Sequence, residues 1–158
     1  MEWFVRRFLK ASLAWLALGV SLGVAMAMVP TLAIFRTAHL HLNLLGFVTM
    51  MIFGVAYHVI PRFTGHPLHS RVLAGVNWWA SNVGLALFAL GLALRADGVR
   101  WGGALVAFGA LGAAAGAYLF VYNLWRTIDG PRGATVPTPR AASIAHAADR
   151  VPLQARRG

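Results

Sequence analysis

Four stretches of this chain are apolar for long enough to cross a lipid bilayer, and no other feature limits its fold as tightly. They run over about residues 11–35, 37–60, 72–94 and 102–125. Each reaches the roughly 20 residues that a helix needs to traverse the hydrocarbon. Backbone polar groups in hydrocarbon must find partners within the segment, so such runs form helices. Charged residues make up 11% of the 158 positions, against about 25% in a soluble domain. The sequence therefore predicts an all-α membrane protein, a bundle of four transmembrane helices over residues 1–128. The first run follows Arg6, Arg7 and Lys10, as in a signal peptide, but it is too long for one and no soluble domain comes after it. It reads as a retained helix.

A formal net charge of +10 invites a nucleic-acid reading, and the placement of the charge argues against it. Arg6, Arg7 and Lys10 precede the first run, Arg62 and Arg71 separate the second and third, and Arg126 and the later arginines follow the fourth. The alternate connections hold Arg36, Arg95 and Arg100. This is the positive-inside asymmetry of an even-numbered bundle. It predicts a multi-pass protein of a bacterial-type inner membrane with both termini cytoplasmic and no nucleic-acid partner. From Gly130 the chain turns to Pro, Ala and Arg with few large apolar residues, and residues 129–158 read as a basic, mostly disordered cytoplasmic tail.

Within the first run Gly19 and Gly23 stand four apart, a spacing that lets helices approach closely. Pro30 reads as a kink near its outer end, with a short turn at Arg36 and Thr37. The second run stops at Pro61-Arg62. The third carries Asn77, Ser81 and Asn82. The fourth is rich in glycine, with Gly109, Gly112 and Gly116. Asn43, Tyr57, Asn77 and Asn82 either line a cleft or make hydrogen bonds between helices. Trp78, Trp79, Trp101 and Trp125 read as anchors at the membrane interface.

Imidazoles are costly within hydrocarbon and usually have a partner or a task there. His39 and His41 begin the second run. Successive helical residues are about 100° apart, so these two point roughly 200° apart. They cannot readily grip one ion together, but they suit two partners on opposite sides of the helix. Two readings stand: histidines facing interfacial water, or axial ligands to haem iron through neutral imidazole nitrogens. Gly46, Phe47 and the glycine-rich fourth helix are candidates for the walls of a haem site. Arg36, Arg95 and Arg100, at the same end, are candidates for its propionates. His58 falls roughly 25 Å further along the helix, near the other boundary. His66 and His69 form an H-x-x-H in a loop without a third ligand, and His146 lies in the tail. The absence of cysteine excludes disulfides, thiolate metal sites and covalent haem attachment, so any haem is held non-covalently.

The run His39-Leu40-His41, Leu45-Gly46, Gly54, Tyr57, Pro61-Arg62 and Gly65 resembles the tenth helix of the haem-copper oxidase catalytic subunit, nearest to its cytochrome cbb-like class. Pro67-Leu-His-Ser-Arg-Val-Leu-Ala resembles the following loop and eleventh helix, and Tyr122-Asn-Leu-Trp-Arg-Thr-Ile the end of the twelfth. The resemblance implies that His39 matches the ligand of the high-spin haem and His41 that of the low-spin haem. It also implies that Arg95 and Arg100 meet propionates. Arg36-Thr-Ala-His39 further fits the Arg-x-x-His of the family's other low-spin ligand.

The departures bear on function. The family's subunit forms three arcs of four helices, and this chain has one arc. It lacks the additional histidines that hold the active-site copper, so no copper is expected and it is not a complete terminal oxidase. A homotrimer would rebuild the ring, placing His41 of one copy opposite His39 of the next around haem b. Three functions stand open. The first is a b-type cytochrome of the respiratory chain carrying electrons from a quinol or a cytochrome c. The second is a five-coordinate haem protein binding or reducing nitric oxide or oxygen. The third is a haem-free assembly partner of a respiratory oxidase. Whether the chain is an oxidoreductase in its own right stays open among them.

Overall fold

The computed structural model describes residues 1–130. Four helices within it are long and apolar enough to cross a membrane: α1 (Trp3–Met28), α2 (Pro30–Thr64), α3 (Arg71–Ala96) and α4 (Gly102–Asp129). Among the described residues there is no strand. Side chains such as Leu13, Val24, Leu44, Ile52, Val83 and Leu111 are exposed around the outside of the bundle, as expected of a multi-pass membrane protein whose outer solvent is lipid. The tail expected over 129–158 gives up Asp129 to α4, and residues 131–158, His146 among them, lie outside the described residues.

The first two helices divide differently from the sequence reading. The first begins at Trp3, not near residue 11, and ends at Met28. The turn falls at Val29, which is extended, and not at Arg36 and Thr37. Pro30 opens α2 and does not kink α1. Proline suits the first helical turn because the N–H it lacks would have no intrahelical acceptor there.

α2 is one rod in four geometries. A 3-10 turn (Pro30–Phe35) leads into an α-helical turn (Arg36–His41), a π-helical stretch (Leu42–Thr49) and a closing α-helix (Met50–Thr64). The Thr49 hydroxyl donates to the Leu44 carbonyl five residues back, at 2.9 Å, following the wider π-turn. The rod ends on Gly65, whose φ of 70° is readily adopted by glycine. π-helical segments within α-helices often accompany functional sites, and this one begins directly after His41.

The aromatic core sits at the arginine-rich end. Phe4, Val5 and Phe8 from α1 meet Met50, Phe53 and Tyr57 from α2. Phe53 stacks on Phe120 with ring centroids 4.1 Å apart, and Phe8 meets Phe53 edge-on at 5.8 Å. Tyr57 is held by an Asn77 side-chain donor at 3.0 Å, and Ser81 donates to Asn77 at 2.9 Å. The Trp15 indole N–H donates to Asn82 at 3.0 Å. These asparagines and Tyr57 therefore bond between helices.

α3 and α4 are joined along a glycine seam. A methyl group on Gly91 would come 2.6 Å from the Val106 nitrogen, and one on Gly109 would strike the backbone of Phe88. Gly116 lies against Ser81. The α4 glycines considered as haem walls are thus spent on close contact with α3, and Gly46 lies beneath Trp15 and Leu85.

Candidate functional site

His39 and His41 leave α2 on different sides, as the helical rotation requires. His39 turns toward α1. Its ring occupies a recess over Gly23, where a methyl group would come 2.8 Å from Cε1. Its Nδ1 lies 2.8 Å from the Gly19 carbonyl oxygen. Asn43 fills the neighbouring recess at Gly19 and donates to the His39 carbonyl at 2.9 Å. The paired small residues of α1 therefore receive polar side chains and not a neighbouring backbone.

His41 turns toward α3, with its ring centroid 4.8 Å from that of Phe88. Its Nδ1 lies 2.8 Å from the Thr37 carbonyl oxygen. Both imidazoles are half-buried.

The two histidines present the same ring nitrogen to a backbone carbonyl. A carbonyl oxygen only accepts, so each Nδ1 must carry the proton it donates. The Asn43 amide nitrogen, 3.4 Å from His39 Nδ1, is then a neighbour and not a donor to it. In the neutral ring the free lone pair falls on Nε2. A backbone carbonyl bonded to one ring nitrogen is the usual way proteins orient a metal-ligating imidazole. The donor chemistry of His39 and His41 thus suits haem iron, and the sequence alone gave no indication of the tautomer.

Arg36, Arg95 and Arg100 are exposed and lie at the same end of the bundle as the histidines. The opening turn of α2 packs against α3, whose last turn holds Arg95, and Arg100 follows in the connection to α4. Arg95 stands seven positions after Phe88, roughly 10 Å along the helix. Asp97 is in that connection too and is exposed.

His58, His66 and His69 have structural partners. Arg62 donates to the carbonyl of His58 and contacts its Nδ1 at 3.0 Å. His66 Nδ1 donates to the Thr127 carbonyl at 3.3 Å, and the His69 N–H donates to the Thr127 hydroxyl at 3.0 Å. The H-x-x-H therefore fastens its loop to the end of α4. Asn123 completes the fastening, accepting from the Ser70 N–H at 2.9 Å and donating to the Ser70 carbonyl at 2.8 Å. The sequence reading passed over this clasp, because no local pattern pairs positions 70 and 123.

No family model matches this chain. It is 28% identical, over 166 aligned positions, to the cbb3-type cytochrome c oxidase subunit CcoN1 of Stutzerimonas stutzeri. The match takes in 82% of this chain and 34% of that subunit, so the chain spans about a third of the length of the curated relative it matches. This similarity agrees with the resemblance to oxidase catalytic subunits read from His39-Leu40-His41 and the residues after it.

Proposed function

We propose that the chain is a membrane b-type cytochrome related to the haem-copper oxidase catalytic subunit, with His39 and His41 ligating non-covalent haem b for electron transfer. One observation carries this reading: both imidazoles donate from Nδ1 to backbone carbonyls, leaving Nε2 free on two sides of one rod. The similarity to an oxidase subunit supports it.

His39 and His41 diverge too far to meet at one iron within a chain. The arrangement that uses both is a homotrimer in which each haem takes His41 from one copy and His39 from the next, closed cyclic assemblies being common. Arg36, Arg95 and Arg100 serve the propionates through charge-assisted hydrogen bonds. Haem held by two imidazoles supplies one-electron transfer. The electron donor is a quinol or a cytochrome c, and no residue is assigned to copper. The charge asymmetry supports a topology with both termini on the cytoplasmic face.

The test is the absorption spectrum of detergent-purified protein, oxidised and dithionite-reduced, with its native mass. The expected result is a six-coordinate b-type spectrum in a trimer, altered by either His39→Ala or His41→Ala. Colourless protein, or variants with unchanged spectra, would overturn the reading. A large shift when carbon monoxide is added to the reduced protein would point instead to an open coordination position.

A further inference from the structure

A cavity of about 580 Å³ opens at the arginine-rich end, far from the histidine pair, where the start of α1, the end of α2 and the loop into α3 converge. Its polar wall holds Arg62, Arg71 and Glu2, and its apolar wall holds Phe4, Pro61 and Leu68. Glu2 has a carboxylate oxygen 3.0 Å from the Arg71 guanidinium. Arg62 commits one terminal nitrogen to His58, which leaves its other nitrogens available. Both arginine side chains are exposed.

We propose that this cavity binds a phosphate group and that its main source is an anionic phospholipid at the membrane boundary. Two guanidinium groups on separate helices make a fork suited to phosphate oxygens. The Glu2 carboxylate marks the anion position, since it already rests against Arg71. The cavity lies where apolar runs give way to charge, the boundary at which a headgroup meets a membrane helix. Phe4, Pro61 and Leu68 provide an apolar side against which the glycerol and first acyl carbons rest, which a free phosphate would not use. A phosphate that enters must compete with Glu2 for Arg71, so removal of the carboxylate should tighten binding.

The full chain in detergent is offered phosphatidylglycerol, phosphatidylcholine or inorganic phosphate, and retained molecules are counted by native mass spectrometry. The expected result is preferential retention of phosphatidylglycerol over phosphatidylcholine. The double variant Arg62→Gln/Arg71→Gln should lower that retention about thirtyfold, as loss of two juxtamembrane charges implies. Glu2→Gln should raise it for phosphatidylglycerol and not for phosphatidylcholine, a selectivity that non-specific lipid uptake by misfolded protein would lack. Retention of inorganic phosphate with no lipid preference would keep the phosphate site but overturn the lipid source. The site itself is overturned if the double variant keeps its lipid. It is equally overturned if Arg6→Gln/Lys10→Gln, exposed at the same end but outside the cavity wall, costs as much. None of these outcomes depends on haem, so the site and the cytochrome reading can fail separately.

Discussion

His39 Nδ1 lies 2.8 Å from the Gly19 carbonyl oxygen, on a different helix and 20 positions earlier in the chain. The contact exists because Gly23 has no side chain to occupy the space taken by the ring. It sets both the direction of the imidazole and the nitrogen that carries its proton.

Gly23→Ala should therefore displace His39. A methyl group 2.8 Å from Cε1 forces the ring to rotate or α1 to retreat, and overpacking of this kind costs about 1–3 kcal/mol. Nitrogen-15 NMR of the histidine rings should show the Nδ1–H form of His39 lost or mixed, while His41 stays as it is. Gly19→Ala meets Asn43 instead, at 2.6 Å, and should lower thermal stability with less effect on the His39 ring. An unchanged His39 signal in Gly23→Ala would mean that the recess does not hold it.

The α3–α4 seam should tolerate no side chain at its glycines. Gly91→Ala would set a methyl group 2.6 Å from a backbone nitrogen of Val106, which cannot move aside as a side chain can. About 1–3 kcal/mol of destabilisation is expected, measured by thermal unfolding in detergent. Gly103→Ala, at a position with open space around it, should unfold at the wild-type temperature or slightly above, since alanine favours helix over glycine by about 1 kcal/mol.

Asn77 should matter more than Tyr57's hydroxyl. It donates to Tyr57 and accepts from Ser81, and the residue is fully buried. Asn77→Ala leaves two buried hydroxyls short of a partner, at about 1–3 kcal/mol. Tyr57→Phe removes one partner, and interhelical bonds of this kind average about 0.6 kcal/mol in membrane bundles. Equal losses for the two variants would mean that the Ser81 bond contributes little.

Asn123→Ala should loosen the loop between α2 and α3. Both backbone groups of Ser70 bond to the Asn123 side chain. Thr127, which holds His69, donates in turn to the Asn123 carbonyl at 2.7 Å. Hydrogen exchange should accelerate at His69 and Ser70 while the α3–α4 seam stays protected. Uniform acceleration across α3 would show instead that the clasp supports the whole helix.

Residue chemistry by itself determined the number of helices, their apolar outer surface and the gathering of charge at one end. Each follows from composition over some twenty residues, and the bilayer accepts few alternatives. The rotation between His39 and His41 was also legible, because α-helical geometry persists over two residues. The boundary between the first two helices was not. Hydropathy continues through Val29 and Pro30, and Arg36 looked like punctuation although it lies within a helical rod. Only the packed bundle decided that Gly19 and Gly23 receive Asn43 and His39, that Gly109, Gly112 and Gly116 are consumed against α3, and that both histidines turn Nδ1 to a backbone carbonyl. Those outcomes depend on how far one helix is rotated and shifted against another. That register is set by the fit of distant side chains, which no local pattern records.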